Sequence, residues 1–375
     1  MHVAVYLPLV MPLFAAMVAR PLADRLPPVA ATWLLAASAV ALALASSAVL
    51  GMLALSALVR IPFVAAVGHL SRPVIASGDA VSLPVAVVAG GLLVAAALAA
   101  GRAVWRRGRA IAAAHRHASS LPGASQVVVT EDAAADAYTV PGWPCRIVIT
   151  QGMLGALSPG ERDVLLAHER AHAQRSHYLY TSAVRLAAAA NPLLRPVAAQ
   201  AGYTVERWAD ERAAAQAGDR TLAAVAIARA ALATSQAPPE RDAAMAALGL
   251  ITQEDDGITQ EDDGRPDGEA RASQARARSP RAWASRARSP RAWASRAWAS
   301  RAWASRDHPG PSARAQLQQA GPVPRRVAAL LAPPPRLPLL LLAAAIVLIA
   351  VSGGSVLDAA RDFHQLIELA QGPAR

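Results

Sequence analysis

The stretch SPGERDVLLAHERAH, residues 158–172, determines the fold expected for the middle of the chain. Ser158 and Glu161 have the spacing of a capping box, and Pro159 suits the first helical position, where an N–H is not needed. Apolar content follows from Val164, Leu165 and Ala167. The sequence therefore predicts a helix that begins after Ser158 and continues through two histidines.

The helix carries the motif His168-Glu169-Arg170-Ala171-His172. Histidines four residues apart lie on one helix face, so His168 and His172 can bind one metal ion. The carboxylate of Glu169 can then take the proton of a zinc-activated water as that water attacks a peptide carbonyl. The motif predicts one zinc ion per chain, with Glu169 as the catalytic base. The alternative is a polar helix face whose histidines bind no metal.

A second acidic motif, Glu206-Arg207-Trp208-Ala209-Asp210, follows on a later predicted helix. Glu206 can complete a two-histidine, one-carboxylate zinc site that leaves one position open for water. Asp210 can accept a hydrogen bond from the second nitrogen of a ligand histidine and so fix its tautomer. The alternative for Glu206 is a solvated surface charge. His177 lies one place from the position of a third histidine ligand, so we expect a structural or interfacial role for it.

Four uncharged, apolar runs can span a bilayer, which requires roughly 20 residues of helix. These runs are residues 1–19, 29–59, 80–101 and 337–357. Buried helices of a soluble core are the alternative. Arginines follow the third run at 102, 106, 107 and 109 and precede the fourth at 325, 326 and 336. The positive-inside rule therefore places the region between them in the cytoplasm and both termini outside.

The rest of that region changes character along its length. β-Branched residues at 127–130 and 146–150, with a turn at Pro141-Gly142, predict short strands, and residues 146–150 are proposed to receive an extended substrate by edge pairing. Residues 186–217 follow a helical pattern that ends at Gly218. Exact repeats begin near residue 251 and continue as Arg-Ala-Trp-Ala-Ser units, which predict a disordered linker.

Net charge and cysteine content weigh against two interpretations, nucleic-acid binding and a disulfide-stabilised fold. The formal net charge is +11, but much of this charge lies in the arginine repeats. Nucleic acid is therefore not the expected partner. A membrane-tethered nucleic-acid binder that acts through the repeats is a rival hypothesis. The single cysteine, Cys145, excludes a disulfide framework. The expected partners are a protein substrate and the lipid bilayer, and the oligomeric state is not predicted.

The sequence predicts five segments. They are residues 1–103 with three transmembrane helices, 104–237 as a cytoplasmic zinc metallopeptidase domain, 238–336 as a low-complexity linker, 337–357 as a fourth transmembrane helix and 358–375 as a short extracytoplasmic tail.

These motifs and spans resemble the BlaR/MecR-type family of membrane metallopeptidases, the beta-lactam sensor-transducer group, over residues 1–235 and 337–357. The resemblance implies that His168, His172 and Glu206 bind zinc, that Glu169 is catalytic, that Asp210 supports the site, and that the substrate is a cytoplasmic protein such as a transcriptional repressor. The tail is too short for that family's penicillin-binding sensor domain, so beta-lactam sensing is not expected. The related HtpX and prenyl-protein endopeptidase family shares the zinc motifs but distributes its spans differently.

The expected fold is mainly α, a multi-pass membrane protein with four transmembrane helices and a cytoplasmic α+β zincin-like peptidase domain. The expected function is a membrane-embedded, gluzincin-like zinc endopeptidase that cleaves a cytoplasmic or membrane-proximal protein in a signalling pathway. The rival hypothesis is a non-catalytic membrane signal transducer or scaffold with a structural metal site.

Overall fold

The computed structural model describes residues 6–58, 82–121, 123, 125–142, 145–236 and 321–333, with scattered positions between 343 and 364. Most of these residues are helical, as predicted. The chain divides into two compact units. The helical unit comprises Met1–Arg109, Ser176–Trp208 and Pro334–Arg375, and the α/β unit comprises Ala110–Arg175 and Ala209–Pro333.

Three helices in the described residues are long and apolar enough to cross a membrane. They are α1 (Leu7–Arg25), α2 (Pro28–Leu58) and α3 (Leu83–Ser120). Each overlaps one of the first three predicted spans, and the last turns of α3 belong to the α/β unit. The predicted fourth span, residues 337–357, falls largely outside the described residues, as does most of the predicted linker.

Two further helices pack with α1 and α2 in the helical unit. They are α6 (His177–Ala190) and the first part of α7 (Arg195–Ala217), joined by a 3₁₀ turn at Pro192–Leu194. Their shared core is rich in alanine, which lets helix backbones approach closely. The sequence analysis assigned these residues to a cytoplasmic domain, whereas here they share a core with two candidate membrane spans.

Polar contacts inside the helical unit connect the same helices. The hydroxyls of Thr32 on α2 and Thr204 on α7 lie 3.0 Å apart, and both residues are fully buried. Arg207 donates to the carbonyl oxygen of Ala23 in the last two turns of α1, close to the carbonyls that lack helical partners. Its guanidinium also lies 5.9 Å from the centre of the Tyr203 ring. The arginine of the second acidic motif is therefore a packing residue of this unit.

The α/β unit contains a three-stranded sheet in the order β1-β3-β2. The strands are β1 (Val127–Thr130), β2 (Ala137–Val140) and β3 (Arg146–Thr150). Predicted strands β1 and β3 are confirmed, and they are parallel, with Val128 opposite Val148. The sequence analysis missed β2, which runs antiparallel to β3 with Tyr138 opposite Val148.

The position of β3 corrects the proposed substrate-binding edge. All five of its residues are buried, and it pairs with β1 on one side and β2 on the other. The proposal that residues 146–150 accept a substrate strand is therefore wrong, because both edges of β3 are occupied. Within the part of the chain that the structure describes, the edge strands are β1 and β2.

Four helices lie entirely within the described part of the α/β unit. They are α4 (Gln151–Ala156), α5 (Pro159–Gln174), α8 (Arg220–Ser235) and α9 (Pro322–Leu330). The predicted capping box of α5 is confirmed, since the backbone N–H of Ser158 donates to Oε2 of Glu161 at 2.9 Å. Val164 of α5, Ile227 of α8 and Val327 of α9 lie in one apolar core.

Helix α9 lies within the segment that the sequence analysis assigned to a disordered linker. Its buried residues include Arg325 and Leu330, and Arg220 of α8 donates to the carbonyl oxygens of Leu330 at 2.9 Å and Ala329 at 3.1 Å. These carbonyls belong to the last turn of the helix, which lacks internal partners. The predicted linker is therefore wrong for residues 321–333, which are part of the α/β unit.

Glu161 caps the start of α5, and its replacement should destabilise the protein. Its side chain is 2% exposed, and the Arg229 guanidinium that pairs with it is 39% exposed. Burial alone would raise the pKa of Glu161, but the hydrogen bonds from Ser158 and Arg229 outweigh it and lower the pKa. Because the partner arginine is partly solvated, we expect Glu161→Gln to reduce the free energy of unfolding by about 1 kcal/mol at pH 7.

The sign of the pH dependence follows from the lowered pKa. The contribution of Glu161 is present above the ordinary carboxyl pKa of 4.5 and is lost as the pH falls through the lower folded value. Thermal unfolding of the detergent-solubilised chain should therefore show a lower melting temperature for Glu161→Gln than for the wild type at pH 7. This difference should shrink below pH 4.5. Asp163→Asn, at an exposed position on the same helix, is the control and should change little. An equal loss at all pH values would contradict this account.

Candidate metal centre and active site

The two histidines of the motif face each other on α5. Their Nε2 atoms lie 3.1 Å apart, close to the separation of about 3.4 Å that two nitrogens have on one tetrahedral zinc ion. His168 is buried and His172 is partly buried. The four-residue spacing on the helix therefore places the two imidazole nitrogens close enough together to bind one metal ion, as the sequence predicts.

The carboxylate of Asp210 on α7 lies beside the Nδ1 atom of His168. Its Oδ1 lies 3.0 Å from Nδ1 of His168, and its side chain is 2% exposed. A carboxylate only accepts hydrogen bonds, so the proton of a neutral His168 lies on Nδ1. The lone pair of Nε2 is then directed towards His172, which is the state that a metal ligand needs.

Glu206 lies one helical turn before Asp210 on α7. One ligand atom from each of His168, His172 and Glu206 lies within 4.8 Å of the other two. Two imidazoles and one carboxylate form a donor set that suits zinc and leaves a fourth position for water or substrate. All three residues predicted as ligands are thus close enough together to hold one ion.

Thr139 of β2 holds the side chain of Glu169. Its hydroxyl oxygen lies 2.8 Å from Oε2 of Glu169 and 3.0 Å from the Glu169 backbone oxygen. Glu169 is 8% exposed, so this contact orients a carboxylate that has little access to bulk water. The sequence analysis missed Thr139 because it missed β2, and a four-residue strand of Ala, Tyr, Thr and Val carries a weak signal.

Arg326 of α9 forms a two-pronged ion pair with Asp210. Its Nε and Nη2 atoms donate to Oδ2 and Oδ1, each at 2.7 Å. Burial alone would raise the pKa of Asp210, but the charge and hydrogen bonds of Arg326, together with His168, lower it. The ion pair with Arg326 therefore favours the ionised form of Asp210, whose carboxylate lies between an arginine and a histidine.

A cavity of about 140 Å³ opens beside His168 and Glu169 within the α/β unit. His168, Glu169 and Arg326 contribute its polar wall. The remaining wall is mainly apolar and includes Met153, Val164, Leu165, Ala226, Ile227 and Ala230. The site thus combines a metal-binding donor set, a carboxylate beside it and an adjoining apolar space.

These residues have the donor set and the neighbouring carboxylate that a metallopeptidase site requires, and comparison with protein families gives the class. A model of peptidase family M48 matches residues 102–332, which is more than half of the chain. The chain belongs to peptidase family M48. No curated protein and no solved structure matches it significantly. The match extends to residue 332 and so includes α9, in agreement with its place in the α/β unit.

The family match refines the resemblance that the sequence suggested. Family M48 supports a membrane-associated metallopeptidase, and its members are typically zinc-dependent. It does not support the narrower BlaR/MecR-type assignment. His177, for which a structural role was expected, is 1% exposed and lies in the helical unit, with its ring 4.7 Å from that of Trp208.

The contact between Thr139 and Glu169 predicts a defined catalytic defect. Thr139→Val keeps the shape of the side chain but removes the hydroxyl, so we expect kcat to fall about tenfold, the effect of about 1.4 kcal/mol. Zinc content should not change, because the hydroxyl contacts no predicted ligand. Thr139→Ser is the matched control and should retain most of the activity. Equal damage from both substitutions would assign the effect to packing rather than to the hydroxyl.

Proposed function

We propose that the chain is a zinc-dependent endopeptidase that cleaves a cytoplasmic or membrane-proximal protein. The observation that carries the proposal is the meeting of His168, His172 and Glu206 within 4.8 Å, with Glu169 adjoining His168 in the chain. A purely structural metal site has no use for a carboxylate held at this position by Thr139. The contact therefore favours catalysis over the rival function of a non-catalytic transducer.

Each protein group has a distinct part in the proposed reaction. His168, His172 and Glu206 would hold the zinc ion, which would supply Lewis acidity towards the substrate carbonyl and the attacking water. Glu169 takes the proton of that water and delivers it to the leaving amine. Thr139 orients the Glu169 carboxylate for proton transfer. Asp210 keeps the proton of His168 on Nδ1. The apolar cavity next to Glu169 suits an aliphatic side chain of the substrate.

The edge strand β2 offers a way to bind an extended substrate. The N–H of Thr150 donates to the carbonyl oxygen of Asp136 at 3.0 Å. In an antiparallel ladder the bonded pairs alternate, so the backbone groups of Ala137 and Thr139 are directed away from β3. These groups can bond a substrate backbone whatever its side chains, which favours broad sequence tolerance.

The membrane setting narrows the substrate to proteins near the bilayer. Three long apolar helices associate the chain with a membrane. Arginines that follow the third span favour a cytoplasmic active site, as proposed from the sequence. Within this setting, cleavage of a signalling protein such as a repressor is the more specific form of the proposal.

Metal content and proteolysis of the detergent-purified chain test the proposed function. Wild type and Glu169→Gln should each bind one zinc ion, because Glu169 is not a ligand. Only the wild type should cleave an unfolded, fluorescently labelled protein, with at least a thousandfold difference in kcat/KM. Glu206→Gln should lower zinc affinity as well as activity. A wild-type chain that binds no zinc, or a Glu169→Gln variant that cleaves normally, would overturn the proposal.

A single proline tests the role of the β2 edge. Ala137→Pro removes an N–H that is directed away from β3, so the ladder to β3 keeps its hydrogen bonds. We expect kcat/KM for an unfolded protein to fall about 3- to 10-fold, the value of one hydrogen bond, with zinc content and thermal stability unchanged. Ala137→Ser, which retains the N–H, is the control and should behave as the wild type. Full activity in the proline variant would exclude this binding mode.

A further inference from the structure

The Asp210 carboxylate has two partners whose geometries are linked. Its Oδ1 lies 3.0 Å from Nδ1 of His168 and accepts from Nη2 of Arg326 at 2.7 Å, while Oδ2 accepts from Nε of Arg326. A guanidinium that binds both oxygens fixes the plane of the carboxylate as well as its position. The oxygen that meets His168 is therefore held in place by Arg326.

Burial makes this arrangement dependent on the arginine. The side chains of Asp210 and Arg326 are 2% and 13% exposed. Removal of the partner of a buried carboxylate strongly destabilises the folded protein. The carboxylate can then rotate towards another donor or a water molecule. His168 alone cannot hold it, since a single hydrogen bond leaves the carboxylate free to rotate.

Helix α9 brings Arg326 to the site from a distant part of the sequence. Residues 236–321 separate α8 from α9 in the chain. The helix is fixed by Val327 and Leu330 in the apolar core and by Arg220 at its last carbonyls. Arg220 is itself paired with Glu211 of α7, the helix that carries Asp210. The packing of α9 therefore determines where the guanidinium of Arg326 lies.

We propose that Arg326 is a positioning residue of the metal centre, acting through Asp210 on the ligand His168, so that the centre is complete only when α9 is docked. The inference rests on the proposed zinc site. It assigns to α9 a role in metal affinity and not only in the stability of the core. It also means that the Arg326–Asp210–His168 series, rather than the histidine motif alone, determines the strength of zinc binding.

A double-mutant cycle on zinc affinity tests this role in the full-length, detergent-purified chain. Arg326→Met should raise the zinc dissociation constant, measured by competition with a chelator, about 10- to 100-fold. Asp210→Asn should do the same. If Arg326 acts through Asp210, the double variant should bind zinc no more weakly than Asp210→Asn alone. The double variant also removes both buried charges, so it folds even if Arg326→Met does not.

Two controls separate positioning from general packing. Arg325→Met removes the neighbouring buried arginine from the same helix but leaves the Asp210 pair intact, so zinc affinity should remain within about twofold of wild type. Arg326→Lys should restore only part of the affinity, because an ammonium cannot bind both carboxylate oxygens in one plane. In the cobalt-substituted protein, Arg326→Met should alter the visible absorption of the metal, whereas Arg325→Met should leave it unchanged.

The outcomes are distinct for this inference and for the function on which it rests. Equal loss of zinc affinity in the Arg325 and Arg326 variants, or additive effects of Arg326→Met and Asp210→Asn, would overturn the positioning role while the peptidase proposal stands. A wild-type chain without zinc affinity would overturn both. Non-additive effects with an unaffected Arg325 variant would establish the role of Arg326.

Discussion

The candidate metal centre depends on one buried carboxylate, that of Asp210. Its Oδ1 lies 3.0 Å from Nδ1 of His168, and its two oxygens accept hydrogen bonds from Arg326, so three segments of the chain meet at one carboxylate. Helix α5 supplies the histidines, α7 supplies Asp210 together with Glu206, and α9 supplies the arginine. A buried charge of this kind is tolerated only when its partners are in place. This requirement explains why a short helix far along the sequence packs beside the active site.

The parts of this site that local sequence patterns predict are those built within single helices. The capping box at Ser158 and Glu161 and the four-residue spacing of His168 and His172 need only neighbouring residues, and both are present in the structure. Apolar length alone likewise predicted the first three spans, each of which overlaps a long helix. The pairing of Asp210 with a ligand histidine also agrees with the distance observed for His168.

The parts that could not be predicted depend on contacts between distant segments. Thr139 reaches Glu169 only because β2 pairs with β3, and four residues give too little alternation to predict that strand. Arg326 follows a long repetitive segment, so composition assigned it to a linker. Its partner Asp210 lies more than a hundred residues earlier, and no local pattern joins the two. The packing of α6 against α2 is also a contact between distant segments. The sequence of α6 does not predict it, because an alanine-rich helix suits either a membrane or a soluble core.

The shortness of β2 limits how strongly this strand could bind a substrate. Within β2, only Ala137 and Thr139 direct backbone groups outwards, and Pro141 follows the strand directly. In the proposed binding mode, the substrate backbone would therefore contact only two or three residues. Such a footprint contributes little affinity, since each hydrogen bond adds only about 1 kcal/mol. Weak local recognition becomes adequate when the effective concentration of the partner is high. Under the proposed function, confinement of enzyme and substrate to the same membrane surface would supply that concentration, so selectivity would come from co-localisation more than from a cleavage motif.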